Sequence, residues 1–187
     1  MKALVVIDMQ NDFIDGALGS NDAIKTVSVI KEKIEKANRE NSIVIATRDI
    51  HPENYLSDIE GKCVPRHCIR GEKGSEITSA FSNLKFDLII DKNNFMADPT
   101  EQLEIKKALQ GVNEIEICGL CADICVVSNA LMLRMLCPDA KIMLDSTATA
   151  GTSDYNKKAA LAVMQSCLVE VYRWSKCSIF FLNDSNY

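Results

Sequence analysis

Histidine is almost missing from this chain: His51 and His67 are the only two in 187 residues. Any chemistry that needs imidazole has just these positions to use, so each is informative. Also lacking is an apolar run long enough to cross a bilayer as a helix. The opening stretch from Met1 to Asp8 is apolar, but it is too short for a signal peptide's hydrophobic region, and Asp8 interrupts it. A cytoplasmic protein with no membrane partner is the expectation. Basic charge is in deficit, with 21 Lys and Arg against 26 Asp and Glu for a net charge of −5, which argues against a nucleic-acid partner. No repeat, linker or low-complexity segment divides the sequence. Its length suits one sizeable core, so a single domain over residues 1–187 is expected.

Cysteine is plentiful, with eight. They are scattered, several lie inside apolar runs, and no export signal accompanies them. Free thiols are then the default, with catalysis or metal binding as exceptions.

Short apolar strands alternate with helical patterns along the chain. Strands are predicted at Leu4–Ile7, Ile43–Thr47, Asp87–Ile90, 115–119, Lys141–Leu144 and Leu168–Tyr172. Between them, Ala23, Val27, Ile30, Ile34 and Ala37 recur at helical spacing behind a cap at Ser20 or Asn21. Residues 100–110 read as a helix offering Leu103, Ile105, Ala108 and Leu109 to a core. Further helices begin near Asp123 and span Asn156–Gln165. This pattern implies a three-layer α/β/α, Rossmann-like fold around a central six-stranded, mainly parallel sheet. Ligands in such sheets bind beyond the carboxyl ends of the strands. There the sequence gathers Asp8, Asp49, Lys92 and the turn from Gly119 to Cys125: two acids, a base and thiols along one edge.

Three cysteines, 118, 121 and 125, straddle the junction between the fourth strand and the helix that begins near Asp123. A thioredoxin-like redox protein using Cys118 and Cys121 is one reading, but it leaves Asp8, Lys92 and Cys125 without roles. Core packing is the plain alternative for all three. Cys125 gains weight from its partners, because a thiol needs a cation or a helix N-terminus to become a good nucleophile at neutral pH. Lys92 could supply that cation and Asp8 could accept the proton.

The long polar loop over 50–74 holds both histidines. Asp49 and His51, two residues apart, with His67 beyond, form a sound ligand set for a divalent transition metal. A rival set of Cys63, His67 and Cys68 would strain adjacent ligands and ranks lower.

Together these residues resemble the isochorismatase-like cysteine hydrolases, and among them the nicotinamidases. The resemblance rests on 3–13 (ALVVIDMQNDF), 47–51 (TRDIH), 65–71 (PRHCIRG), 92–95 (KNNF) and 119–126 (GLCADICV), in that order, and covers about residues 2–172. It implies Asp8, Lys92 and Cys125 as a catalytic triad. It also implies a non-proline cis peptide between Leu120 and Cys121, with the amides of Cys121 and Cys125 as an oxyanion hole. Asp49, His51 and His67 would hold one divalent ion, zinc in the simplest case, with iron or manganese fitting the same ligands; Glu60 stands at the spacing of a fourth. Nicotinamidases often carry an aromatic residue where this chain has Val64, so a pyridine ring would rest more on Phe13, helped by Phe95. The implied reaction is hydrolysis of nicotinamide to nicotinate and ammonia in NAD salvage, through a Cys125 thioester. Another small amide or ureide is the alternative substrate. The family commonly assembles as homo-oligomers, to which the apolar residues 179–182 could contribute.

Overall fold

Strands that are apolar on both faces need a covering layer on each side. The computed structural model, which describes residues 1–174, supplies both layers. Strands β1 (Lys2–Ile7), β2 (Ile43–Asp49), β3 (Leu88–Lys92), β4 (Glu114–Leu120), β5 (Lys141–Ala150) and β6 (Val169–Tyr172) form one sheet. Its order is β3-β2-β1-β4-β5-β6, and every neighbouring pair is parallel.

The helices are α1 (Asn11–Ile14), α2 (Asn21–Arg39), α3 (Ile59–Cys63), α4 (Pro99–Ala108), α5 (Val127–Leu136) and α6 (Asp154–Ser166). Side chains alternate across β1, so Leu4 and Val6 pack with Ile30 and Ile34 of α2, while Ala3, Val5 and Ile7 face the other way. That second face joins Ile105 of α4, Leu133 of α5 and Leu161 of α6. Local signals fix the helix starts. The Ser20 side chain accepts the Ala23 amide, and Asp98 forms a capping box with Glu101 ahead of Pro99.

The chain lays β1, β2 and β3 outward in one direction, then returns to place β4 on the other side of β1. The switch point therefore lies between the ends of β1 and β4, where a crevice opens above the sheet. Gly119 is dictated at this place: a Cβ there would sit 2.0 Å from the Ile7 carbonyl oxygen, and its φ is +123°.

Some expectations need correction. β5 runs on to Ala150 rather than ending at Asp145, because its register against β4 shifts between Ile117 and Gly119 and pairing resumes at Thr149. Leu103 does not join the core; it is 60% exposed, and Ile105 and Leu109 do the packing. The 50–74 loop is not wholly irregular, since it contains α3 and single turns at Tyr55–Ser57 and Lys73–Ser75. The 179–182 segment lies outside the described residues. None of the described helices is long and apolar enough to cross a membrane.

Candidate active site and metal centre

Four strand ends meet in the crevice. Asp8 follows β1 with φ 47°, a left-handed conformation that turns the chain sharply off the sheet. It is fully buried, and its carboxylate is held from two sides. Thr47 Oγ1 donates to Oδ1 at 2.6 Å, and Lys92 Nζ lies 2.7 Å from Oδ2. Lys92 ends β3, is only 1% exposed, and stands 3.8 Å from Cys125 Sγ. Cys125 itself lies in a π-helical turn, Ala122–Val126, between β4 and α5, a type of irregularity frequent at functional sites. The Leu120–Cys121 peptide before it is cis. The Cys121 carbonyl accepts from the amides of Ile124 and Val126, stepping over that of Cys125.

The electrostatics follow from burial. Removal from water pushes the Asp8 carboxyl up, against the pull of Lys92. Burial opposes the Lys92 charge, yet Asp8, Cys125 and Asp49 outweigh it and hold the ammonium above its ordinary range. Burial and the nearby carboxylates also raise the Cys125 thiol. Burial therefore favours the uncharged Cys125 thiol, which stands beside the Lys92–Asp8 pair.

A second cluster adjoins the first. Asp49, His51, Glu60 and His67 offer ligand atoms that all lie within 4.8 Å of one another. Asp49 Oδ2 is 2.9 Å from His51 Nε2 and 3.3 Å from His67 Nε2, and Glu60 Oε1 is 3.8 Å from each imidazole. Nδ1 of His67 is 2.8 Å from the Pro65 carbonyl, which can only accept, so that nitrogen carries a proton and Nε2 faces the cluster. Burial would raise the Asp49 carboxyl, but hydrogen bonds to both histidines hold it well below its usual range. Two imidazole nitrogens with two carboxylates suit a divalent ion of the zinc, iron or manganese kind.

Between the clusters lies a small cavity of about 60 Å³. Phe13, Val64 and Phe95 line it with Asp49, Glu60, His67, Cys121 and Cys125. Asp8, His51 and Lys92 lie behind this wall, in contact with its residues or with one another, so the residues marked in the sequence as triad and ligand set are gathered around one cavity. The rival zinc set is not: Cys63 is exposed on α3, while Cys68 is fully buried, 3.5 Å from Gln10 Nε2. Cys118 lies inside β4 with no exposure, not at a helix start, and packs among the α2-facing core residues. That position counts against the redox reading.

Several contributors were given no role by the sequence. Thr47 steadies Asp8, and the Tyr55 hydroxyl lies 3.1 Å from His67 Nδ1 with its ring stacked on His51. Asn129 donates to the carbonyls of Phe95 and Cys125, and Leu18 and Ile124 complete the cavity wall. Gln10 stood within a recognised motif but without a role.

The sequence matches the family described as Isochorismatase domain over residues 2–176, and the chain belongs to that family. It is an amide-hydrolysing enzyme of this isochorismatase-like kind. A nicotinamidase/pyrazinamidase of Mycobacterium tuberculosis is 25% identical over 91% of this chain and 98% of its own length. Among solved structures, the pyrazinamidase of Pyrococcus horikoshii in complex with zinc superposes with a TM-score of 0.79 at 29% identity, covering 92% of this chain and 99% of the other. An N-carbamoylsarcosine amidase from Thermoplasma acidophilum reaches 0.76 at 27% identity, covering 91% and 94%.

Proposed function

We propose that this enzyme hydrolyses nicotinamide to nicotinate and ammonia. The observation that carries the reading is the Lys92 ammonium, buried between Asp8 and Cys125 behind a cavity that Cys125 lines together with Asp49, Glu60 and His67 of the second cluster. Asp8 takes the Cys125 proton as the sulfur attacks the amide carbonyl, and Lys92 stabilises the thiolate that develops. The amides of Cys121 and Cys125 receive the oxyanion; a donor of this kind is worth about 3–4 kcal/mol of barrier. Asp8 returns the proton to the departing ammonia, leaving an acyl thioester on Cys125. Water, deprotonated by Asp8, then releases the acid. A divalent ion at the cluster, zinc by preference, would act as a Lewis acid anchoring the pyridine nitrogen. Phe13 and Phe95 flank the ring, and Val64 leaves room on one side.

The test is ammonia release by the metal-loaded protein from nicotinamide, with pyrazinamide and N-carbamoylsarcosine in parallel. Turnover of nicotinamide is expected. Turnover of the carbamoyl compound alone would move the substrate to the ureides, the second reading, which Val64 and the Thermoplasma neighbour favour. We further propose that one domain spans the chain and works in the cytoplasm as a homo-oligomer.

A further inference from the structure

Where β1 ends, the sheet loses a rung. The main chain leaves the β1–β2 ladder at Asp8, after that residue's amide has bonded to the Thr47 carbonyl. Asp49, two residues further along β2, therefore has no main-chain partner on its β1 side. On the other side its neighbour is Lys92 of β3. A buried peptide group cannot be left unpaired without a cost of about 1–3 kcal/mol, so some other group must serve it.

The Gln10 side chain does so. Its Oε1 accepts the Asp49 amide at 2.7 Å, and its Nε2 donates to the Asp49 carbonyl at 2.7 Å. The second Nε2 hydrogen goes to the Ser75 carbonyl at 2.9 Å. Gln10 is fully buried, as is Asp8 two residues before it. One carboxamide thus replaces a missing strand rung and binds the exit of β1, the exit of β2 and the 73–75 turn into one unit.

What it holds in place is the residue shared by both clusters. Asp49 turns Oδ2 to the two imidazoles, while Oδ1 lies 3.6 Å from Lys92 Nζ. We infer that Gln10 is a positioning residue that sets Asp49 for metal binding and for contact with Lys92, coupling the ligand set to the nucleophile's cation. The inference rests on the proposed ligand set. Gln10 stands outside both the ligand set and the cavity lining, and reaches the site through the Asp49 backbone.

The test replaces Gln10 by Met, which keeps the length and loses every hydrogen bond, and by Glu, which keeps the acceptor and loses both donors. Full-length native and variant proteins are titrated with zinc against a chromophoric chelator, and kcat and KM for the amide are measured separately. The expected result is zinc affinity weakened about 10–100-fold, the usual effect of removing a ligand's outer support, with kcat falling as well. Native zinc affinity and native kcat in a folded variant would overturn the inference, even if the melting temperature dropped. Unfolding of both variants would assign Gln10 to folding alone and overturn it too. A native protein that bound no zinc would instead reject the ligand set itself, and the inference with it.

Discussion

Asp49 and Lys92 are neighbours twice over. They face each other in the β2–β3 register, and their side chains meet beyond the sheet edge at 3.6 Å. Parallel pairing thus delivers an acid and a base to the same point from two strands. The Lys92 ammonium is the only positive charge within ion-pair distance of Asp8 among the described residues.

Replacing Lys92 by Met should therefore cost stability as well as activity. It leaves Asp8 buried without its counter-charge, and breaking one side of such a pair typically costs about 3–5 kcal/mol. Chemical denaturation should show that loss, with ammonia release falling to background. A variant as stable as the native protein would mean that Asp8 is already neutral in the fold.

The cysteines should separate cleanly. Cys125→Ala removes the nucleophile and should abolish turnover while the protein stays folded. Cys118→Ser, in the middle of β4, should lower activity only slightly; the Val5 carbonyl lies 3.9 Å from its sulfur and can accept from a hydroxyl there. The reverse pattern of activity would revive the redox reading.

For the metal, His67→Ala should strip the bound ion, read as metal content after gel filtration. Tyr55→Phe should do less. It removes the hydroxyl beside Nδ1, but the Pro65 carbonyl still holds that nitrogen. Metal content unchanged in His67→Ala would reject the ligand set.

A pH test is available far from the cavity. Asp145 is buried on β5 with Lys33 Nζ 2.9 Å away, and Lys33 also reaches Glu116 and Tyr172. Burial pushes the Asp145 carboxyl up, but hydrogen bonds from Thr147 and Lys33 prevail and lower it. A carboxyl lowered on folding contributes stability above its unfolded value, about 3.9, and loses it as pH falls through the folded value. Asp145→Asn should then cost about 1.5–3 kcal/mol at pH 7, the range for hydrogen bonds to charged groups. The gap from the native protein should close below about pH 4. A pH-independent gap would mean that the charge contributes nothing.

The strand ends were legible because each broke an apolar run with one reactive residue: Asp8, Asp49, Lys92, and the Gly119–Cys125 turn. Parallel strands of similar length bring such ends to one edge, so the proposed triad could be read from the strand ends and the proposed ligand set from the loop. Gln10 and Tyr55 could not be read as partners. Their roles depend on which main-chain groups the fold leaves unpaired, a property of three-dimensional register. The second half of β5 was missed for a related reason, since Asp145, Ser146 and Thr147 break the apolar pattern and only a register shift lets pairing resume. Leu103 satisfied the helical period, yet α4 meets the sheet chiefly through Ile105 and Leu109.

The position of β1 in the sheet has a consequence for biosynthesis. Asp8 is made first, but its neighbour β4 and the thiol beyond it are made last of the reacting groups. Between them the ribosome must deliver Asp49 and Lys92, each on its own strand. A nascent chain short of Cys125 holds the proposed base, cation and ligand set, and lacks the proposed nucleophile. Hydrolysis in this sense waits for the fourth strand, and its onset would report that β2, β3 and β4 have assembled with β1.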